Sequence, residues 1–199
     1  MADELAHLLV VDVAAWRSWL GANHESSSGV WLRLAKKGTT EPTSLSYGDA
    51  LIESLCHGWI DGQVRRFDEV TYMQRFTPRR PRSAWSKNNV AKVERLMGEG
   101  RMLPAGLAAV ERAREDGRLQ DAYPGQASIA VPADLAAVLD GEPAALATFQ
   151  TLTSQNRYAV LLRISQAKRA DTRARRIERF VAMLARGETV HPQKRRSAS

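Results

Sequence analysis

The sequence predicts an α+β protein, with a small, mainly antiparallel sheet and packed helices followed by a helical C-terminal region. Three observations predict it. Val30-Trp31-Leu32-Arg33-Leu34 alternates apolar and polar residues, as a half-buried strand does. Two further runs, 59–64 and 70–76, are spaced as the arms of a hairpin. Beyond residue 130 apolar residues recur only at helical spacing.

In chain order, His7 to Val10 is a short strand. Asp12 can cap a helix that carries Val13, Trp16 and Leu20 on one face. Gly21 to Gly29 is a polar connection to the strand at 30–34. Thr39 to Leu45 is a loop. Ser46 and Asp49 resemble a capping box for a helix through Ala50, Leu51, Leu55 and Cys56 that stops at Gly58. In the hairpin, Val70, Tyr72, Gln74 and Phe76 share one face while Thr71, Met73 and Arg75 share the other, with Arg65 to Glu69 as the turn. Thr77 to Ser83 is an irregular loop with two prolines and three arginines. Ser86 can cap the helix bearing Val90, Val93, Leu96 and Met97. Pro104 opens another helix, which ends at Gly117. Pro132 and Pro143 each start a short helix, Ser154 caps a third, and Asp171 caps a last one striped by Ile177, Phe180, Val181 and Leu184. The expected division is a core at 1–123, a helical region at 124–190 packed on it, and a basic, mobile tail at 191–199.

Composition narrows the function. At 199 residues and 44% hydrophobic, the chain has enough apolar material for a core. No run approaches the roughly 18 apolar residues of a membrane span. Met1 to Val13 lacks the pattern of a secretion leader, and the lone Cys56 makes no internal disulfide. A cytoplasmic location is therefore expected. The net charge is +7, and it is concentrated: residues 65–101 hold ten Lys/Arg against four acids, and residues 163–196 hold eleven against three. Such segments are either solvated helix faces or surfaces for an anionic partner.

Classical catalytic patterns are weak. His7, His24, His57 and His191 lack metal-ligand spacing, and no phosphate-binding glycine loop or nucleophile elbow occurs. Cys56 and His57 are adjacent, and neighbours near a helix end point apart, so Cys56 reads as a buried helix residue. No cofactor, no metal and no catalytic residue is expected, and an enzyme is the third reading behind two binding proteins.

Two segments carry a resemblance. Leu55-Cys56-His57-Gly58-Trp59-Ile60-Asp61-Gly62 and Phe76-Thr77-Pro78-Arg79-Arg80-Pro81-Arg82-Ser83-Ala84-Trp85-Ser86-Lys87-Asn88-Asn89 are similar to signature segments of the YdeI/OmpD-associated, bacteriocin-protection-like family. Val30-Trp31-Leu32 with Lys36-Lys37, Gly100-Arg101-Met102 leading to Pro104-Ala105-Gly106, and Asp116-Gly117-Arg118 ending in Ala122-Tyr123 resemble it further. So do Ala167-Lys168 and Thr172-Arg173 with Arg176-Ile177, which extends the resemblance over about residues 8–187. His57 and Leu119 depart from it, at positions where the family commonly has an aromatic residue and Trp. The resemblance implies protection against antimicrobial peptides or association with an outer-membrane porin, and no particular reaction.

The expected ligand site combines Trp59, Asp61, Arg79, Arg82, Ser83, Trp85, Ser86 and Asn89. Asp61 shares the face of Trp59, and a carboxylate there needs a partner. The arginines of 79–82 are the candidates, either as a structural tether or as co-ligands. Trp85 is either core or the wall of an anion-binding cradle that the arginines and the next helix N-terminus complete. The leading expectation is thus a non-enzymatic stress or antimicrobial-peptide tolerance protein that binds a small or peptidic ligand in a Trp/Arg-lined cleft. The alternative is a sequence-independent nucleic-acid-binding protein that uses Arg175, Arg176, Arg179 and Arg186 on the outer side of the last helix. Sequence patterns leave the strand order and oligomeric state open.

Overall fold

The computed structural model describes residues 5–126 and 128–193. Backbone packing divides the chain into two units, Met1–Trp85 with Asn89–Ala122, and Ser86–Asn88 with Tyr123–Ser199.

The first unit is an α+β layer. It contains β1 (His7–Leu8), α1 (Val13–Asn23), β2 (Val30–Ala35), α2 (Tyr47–Cys56), β3 (Trp59–Arg66), β4 (Thr71–Pro78), most of α3 (Lys87–Gly98) and α4 (Pro104–Glu115). The strands form one sheet in the order β1-β2-β4-β3. β1 runs parallel to β2, and the other pairs are antiparallel, so the sheet is mainly antiparallel as expected. The register sets Val30 opposite Phe76 and Leu32 opposite Gln74.

One sheet face carries the core. Val30, Leu32, Leu34, Trp59 and Phe76 pack with Trp16 and Leu20 of α1 and with Ala50, Leu51 and Leu55 of α2. Trp16 lies 5.8 Å from Phe76 and edge-on to Trp59 at 6.4 Å. Burial of these large side chains supplies the main driving force for this layer. Asp12 caps α1 by accepting from the Ala15 amide at 2.8 Å, and Ser46 caps α2 by accepting from the Asp49 amide.

Several elements differ from expectation. β1 covers only His7 and Leu8. β3 runs on through Arg65 and Arg66, so these arginines are strand residues and the turn begins at Phe67. A bulge between Asp61 and Val64 absorbs the irregular register, and Gln74 satisfies the freed carbonyls of Gly62 and Gln63 through its side-chain amide at 2.9 and 3.3 Å.

The second unit is helical. α5 (Ala133–Asp140), α6 (Pro143–Gln150), α7 (Ser154–Ser165) and α8 (Ala170–Ala185) enclose Leu135, Leu139, Phe149, Val160, Leu161, Ile164, Ile177, Phe180, Val181 and Leu184. The cap of α7 is Thr153, not Ser154, because its hydroxyl accepts from the Asn156 amide. Asp171 lies inside the first turn of α8 rather than at its cap, where its charge still favours the helix N-terminus. The tail expected from residue 191 begins differently. Asn156 is buried, donates to the His191 carbonyl at 3.0 Å and to Gln193 Oε1 at 2.7 Å, and accepts from the His191 amide at 2.8 Å. These bonds tie 191–193 to α7. The rest of the expected tail, 194–199, lies outside the described residues.

Candidate functional site

The geometry first tests the residues expected to bind ligand. Trp59 is 1% exposed, and its indole N–H donates to the His24 carbonyl at 3.1 Å. Trp85 is 2% exposed and belongs to the core cluster. Both are structural, because a large flat apolar side chain next to the sheet face is best removed from water. Arg79 is 9% exposed rather than open to a cleft. Its guanidinium lies 3.6 Å over the Trp85 ring and donates to the Ala84 carbonyl, while its amide donates to the Gly58 carbonyl at 2.9 Å. This cation–π stack holds the loop onto the core. Ser83 accepts from the Arg80 amide through Oγ and from Arg118 through its carbonyl, at 3.1 and 2.8 Å. Arg82 is exposed and Asn89 is buried. Ser86 falls in the second unit, where it bridges to Tyr123.

Asp61 takes a partner that the sequence reading did not name. It stands opposite Phe76 on the core face of the sheet, and Tyr47 donates its hydroxyl to Asp61 Oδ2 at 3.0 Å. The expected arginine tether is replaced by a phenol, because α2 packs against β3 and presents its first residue to the carboxylate.

Tyr47 leads to an open concavity of about 650 Å³. Its walls are the segment Ala35 to Thr39, Ser44, the start of α2 at Ser46 to Gly48, and Tyr72. This volume falls in the usual range for small-ligand sites. The loop that forms one wall is fixed at several points. Lys36 donates through Nζ to the Asp68 and Glu69 carbonyls at 2.8 and 3.0 Å, and Thr39 donates to the Val70 carbonyl at 3.0 Å. Gly38 supplies the positive φ of 86° that turns the chain back. At the far end the Ala35 amide donates to the Leu45 carbonyl and Leu45 is buried. The Lys37 ammonium is exposed and has no charged partner among the described residues. Tyr72 is half-buried, and burial pushes its phenol up. The concavity therefore offers two lysines, of which Lys36 is held by carbonyls, together with two phenols and small hydroxyls on a fixed frame. It suits a ligand with acceptor groups and an apolar or planar part.

A second polar cluster binds α1, α2 and the segment after α3. Glu53 is buried in α2, accepts two hydrogen bonds from Arg17 at 2.8 Å each, and pairs with Arg101 at 3.1 Å. The Arg17 hydrogen bond holds its carboxyl below the usual range, against the opposing effect of burial. His57 caps α2 and contacts the Glu53 carbonyl through Nδ1 at 2.8 Å. It packs edge-on against His24, and burial lowers its pKa. Burial pushes the Cys56 thiol up, so a thiolate is disfavoured here. Among the described residues no group of three or more His, Cys, Asp and Glu side chains could hold a metal ion.

On α8, Arg175 faces Asp171 at 3.6 Å, Arg186 faces Glu188 at 2.8 Å, and Arg176 donates to the Arg163 carbonyl. Arg179 is exposed. Three of the four arginines of the alternative reading thus have partners within the same unit. Among the described residues no helix is long and apolar enough to cross a membrane.

Residues 8–109 match the family model described as Domain of unknown function (DUF8412), and residues 128–187 match that described as Bacteriocin-protection, YdeI or OmpD-Associated. The chain belongs to the DUF8412 family, and the match of residues 128–187 supports its relation to the YdeI/OmpD-associated family. The family assignment from the sequence thus holds, although segments 55–62 and 76–89 fall under the DUF8412 match. No curated protein and no solved structure matches the chain. Bacteriocin protection is the function at the level of the YdeI/OmpD-associated family. The concavity, by contrast, lies wholly within the DUF8412 segment. Its signal in the sequence was Tyr47 in the first turn of a capped helix facing a Gly-turned basic loop. Ser46 was read there as a cap and Lys36-Lys37 as part of the resemblance, and Tyr47 was given no role.

Proposed function

We propose that the protein is a cytoplasmic, non-catalytic antimicrobial-tolerance protein that binds a small or peptidic ligand in the concavity beside α2. The observation that carries this reading is the preformed hollow of about 650 Å³ rimmed by Lys37, Tyr47 and Tyr72. A peptide brings carbonyl oxygens for the Lys37 ammonium and the Tyr72 hydroxyl, an N–H for the Tyr47 oxygen, whose own hydrogen goes to Asp61, and apolar side chains for the two rings. The YdeI/OmpD-associated match supports the physiological role. The test is calorimetric titration with a panel of peptide antibiotics. At least one should bind, and Lys37→Ala with Tyr47→Phe should weaken it by roughly tenfold, the effect of losing one charge-assisted and one neutral hydrogen bond. Absence of binding across the panel, together with unchanged survival of a deletion strain, would overturn the proposal.

A further inference from the structure

The face of the sheet turned away from α1 and α2 has a separate chemistry. Register places His7 beside Trp31, Trp31 beside Arg75, and Arg33 and Arg65 beside Met73. Side chains alternate across a sheet, so these residues share the face opposite Leu32 and Phe76. Trp31 and Met73 are buried, yet neither belongs to the core cluster. What lies on Trp31 is the guanidinium of Arg65, 4.0 Å from the ring centroid. Arg33 lies 4.3 Å from the centroid of Phe67, a ring that is 51% exposed. The face is thus a layer of guanidinium groups stacked on aromatic rings across three adjacent strands.

Its charge is only partly balanced. Arg33 pairs with Asp68, which hydrogen bonds from Thr71 and Val70 and the Arg33 charge hold ionised with a pKa of about 2, outweighing the opposing effect of burial. Arg65 and Arg75 have no carboxylate partner among the described residues. The Nε of Arg75 is buried with no hydrogen-bond partner among them. Asp61 does not compensate, because it lies on the core face with Tyr47.

We propose that this outer sheet face binds single-stranded nucleic acid. Phosphates of an extended strand meet Arg65 and Arg75, whose charges lack a counterion among the described residues. Bases stack on the outer planes of the guanidinium–aromatic pairs and on Phe67. Stacking on planar cations and rings is tolerant of base identity, so the binding is sequence-independent. Planarity favours nucleic acid over an acidic peptide, which would satisfy the charges but leave the stacking planes unused. The site is separate from the ligand concavity.

Fluorescence anisotropy with the full chain tests this, using a labelled single-stranded oligonucleotide of ~20 residues at about 50 mM salt. The wild type should bind, and affinity should fall steeply toward physiological salt. Arg65→Ala with Arg75→Ala should weaken binding by about tenfold or more, through loss of two phosphate contacts. Arg175→Ala with Arg179→Ala should change it by less than about twofold. Circular dichroism verifies that each variant is folded, and Arg65→Lys with Arg75→Lys serves as a second, milder pair that keeps the charge but loses the stacking plane. That pair should bind more weakly than wild type and more tightly than the alanine pair. An abasic oligonucleotide or polyglutamate of matched charge should bind several-fold more weakly. No binding to the wild type, wild-type affinity in the Arg65/Arg75 alanine pair, or equal affinity for polyglutamate would each overturn the proposal.

Discussion

Arg79 and Asp61 carry opposite charges in neighbouring segments, yet neither uses the other. The carboxylate takes the Tyr47 hydroxyl, and the guanidinium lies flat on Trp85. Charge pairing was the obvious inference from sequence, but a planar guanidinium is weakly hydrated and stacks well on an indole. The residue that does need ionic partners is Glu53. It shares a helix face with Ala50 and Cys56, both buried, so its carboxylate enters the interior with Arg17 and Arg101 around it. This arrangement gives a pH dependence with a definite sign. Glu53 has a folded pKa below its ordinary 4.5, so its stabilisation is present above that value and is lost as pH falls through the folded pKa. His57 has a folded pKa below 6.5 because burial favours the neutral ring, so protonation on acidification also favours unfolding. Thermal stability should therefore fall from neutral pH downward, in two regions, below 6.5 and below 4.5. Glu53→Gln should lower stability at neutral pH by about 1–3 kcal/mol, toward the lower end because Arg17 is largely exposed, and should flatten the more acidic limb. Melting curves across the pH range check this. A Glu53→Gln protein as acid-sensitive below 4.5 as the wild type would refute the assignment.

At the scale of elements, helices and strands were legible where one physical rule dominated. Ser46 and Asp12 announced their helices because an N-terminal hydroxyl or carboxylate satisfies an otherwise unpaired amide. The alternation in β2 was equally clear, because Val30, Leu32 and Leu34 make one face apolar throughout, whereas Gln74 interrupts the corresponding face of β4. β3 was less so. Its second half is exposed and polar, and only pairing with β4 makes it strand. Non-local hydrogen bonding of that kind leaves no periodic trace. The open concavity left no periodic mark in the sequence for a related reason. Prolines, arginines and Trp85 concentrate in residues 77–89, where Arg79 and Trp85 are buried and Arg80 and Arg82 are exposed, while the open concavity is assembled from three separated segments. Close approach of α4 to α2 is another non-local fact. A Cβ on Gly106 would stand 2.3 Å from the Cys56 carbonyl oxygen and 2.8 Å from Met102 Cε. Methionine can yield but the backbone carbonyl cannot. Gly106→Ala should therefore force α4 outward and destabilise the protein by about 1–3 kcal/mol, the usual penalty of overpacking. Chemical denaturation measures it. Gly98→Ala is the control, because no atom lies within 4 Å of a Cβ there and the substitution removes a flexible residue near a helix end.

For the whole molecule, the excess of positive charge is unevenly engaged, and that decides where partners are to be sought. The helical unit neutralises much of its own charge through pairs such as Arg173 with Asp134 and Arg186 with Glu188. The other unit leaves Lys37, in the turn after β2, and Arg65 and Arg75, on the sheet, without carboxylate partners among the described residues. Lys37 rims a concavity at the start of α2, whereas the two arginines lie on the sheet face turned away from that helix. Two surfaces of one unit, with different shapes, thus each hold cations without a carboxylate partner among the described residues. A hollow of defined volume selects by fit, and its binding should depend weakly on salt. A flat array of charges selects by charge density, and its binding should collapse as counterions compete. The two activities should separate under substitution. Lys37→Ala with Tyr47→Phe should lose the peptide ligand while retaining oligonucleotide binding within about twofold, and Arg65→Ala with Arg75→Ala should do the reverse. Paired titrations of both variants with both ligands decide the matter. If either pair of substitutions abolishes both activities in a folded protein, the two surfaces act as one site, and the division of labour drawn from their geometry fails.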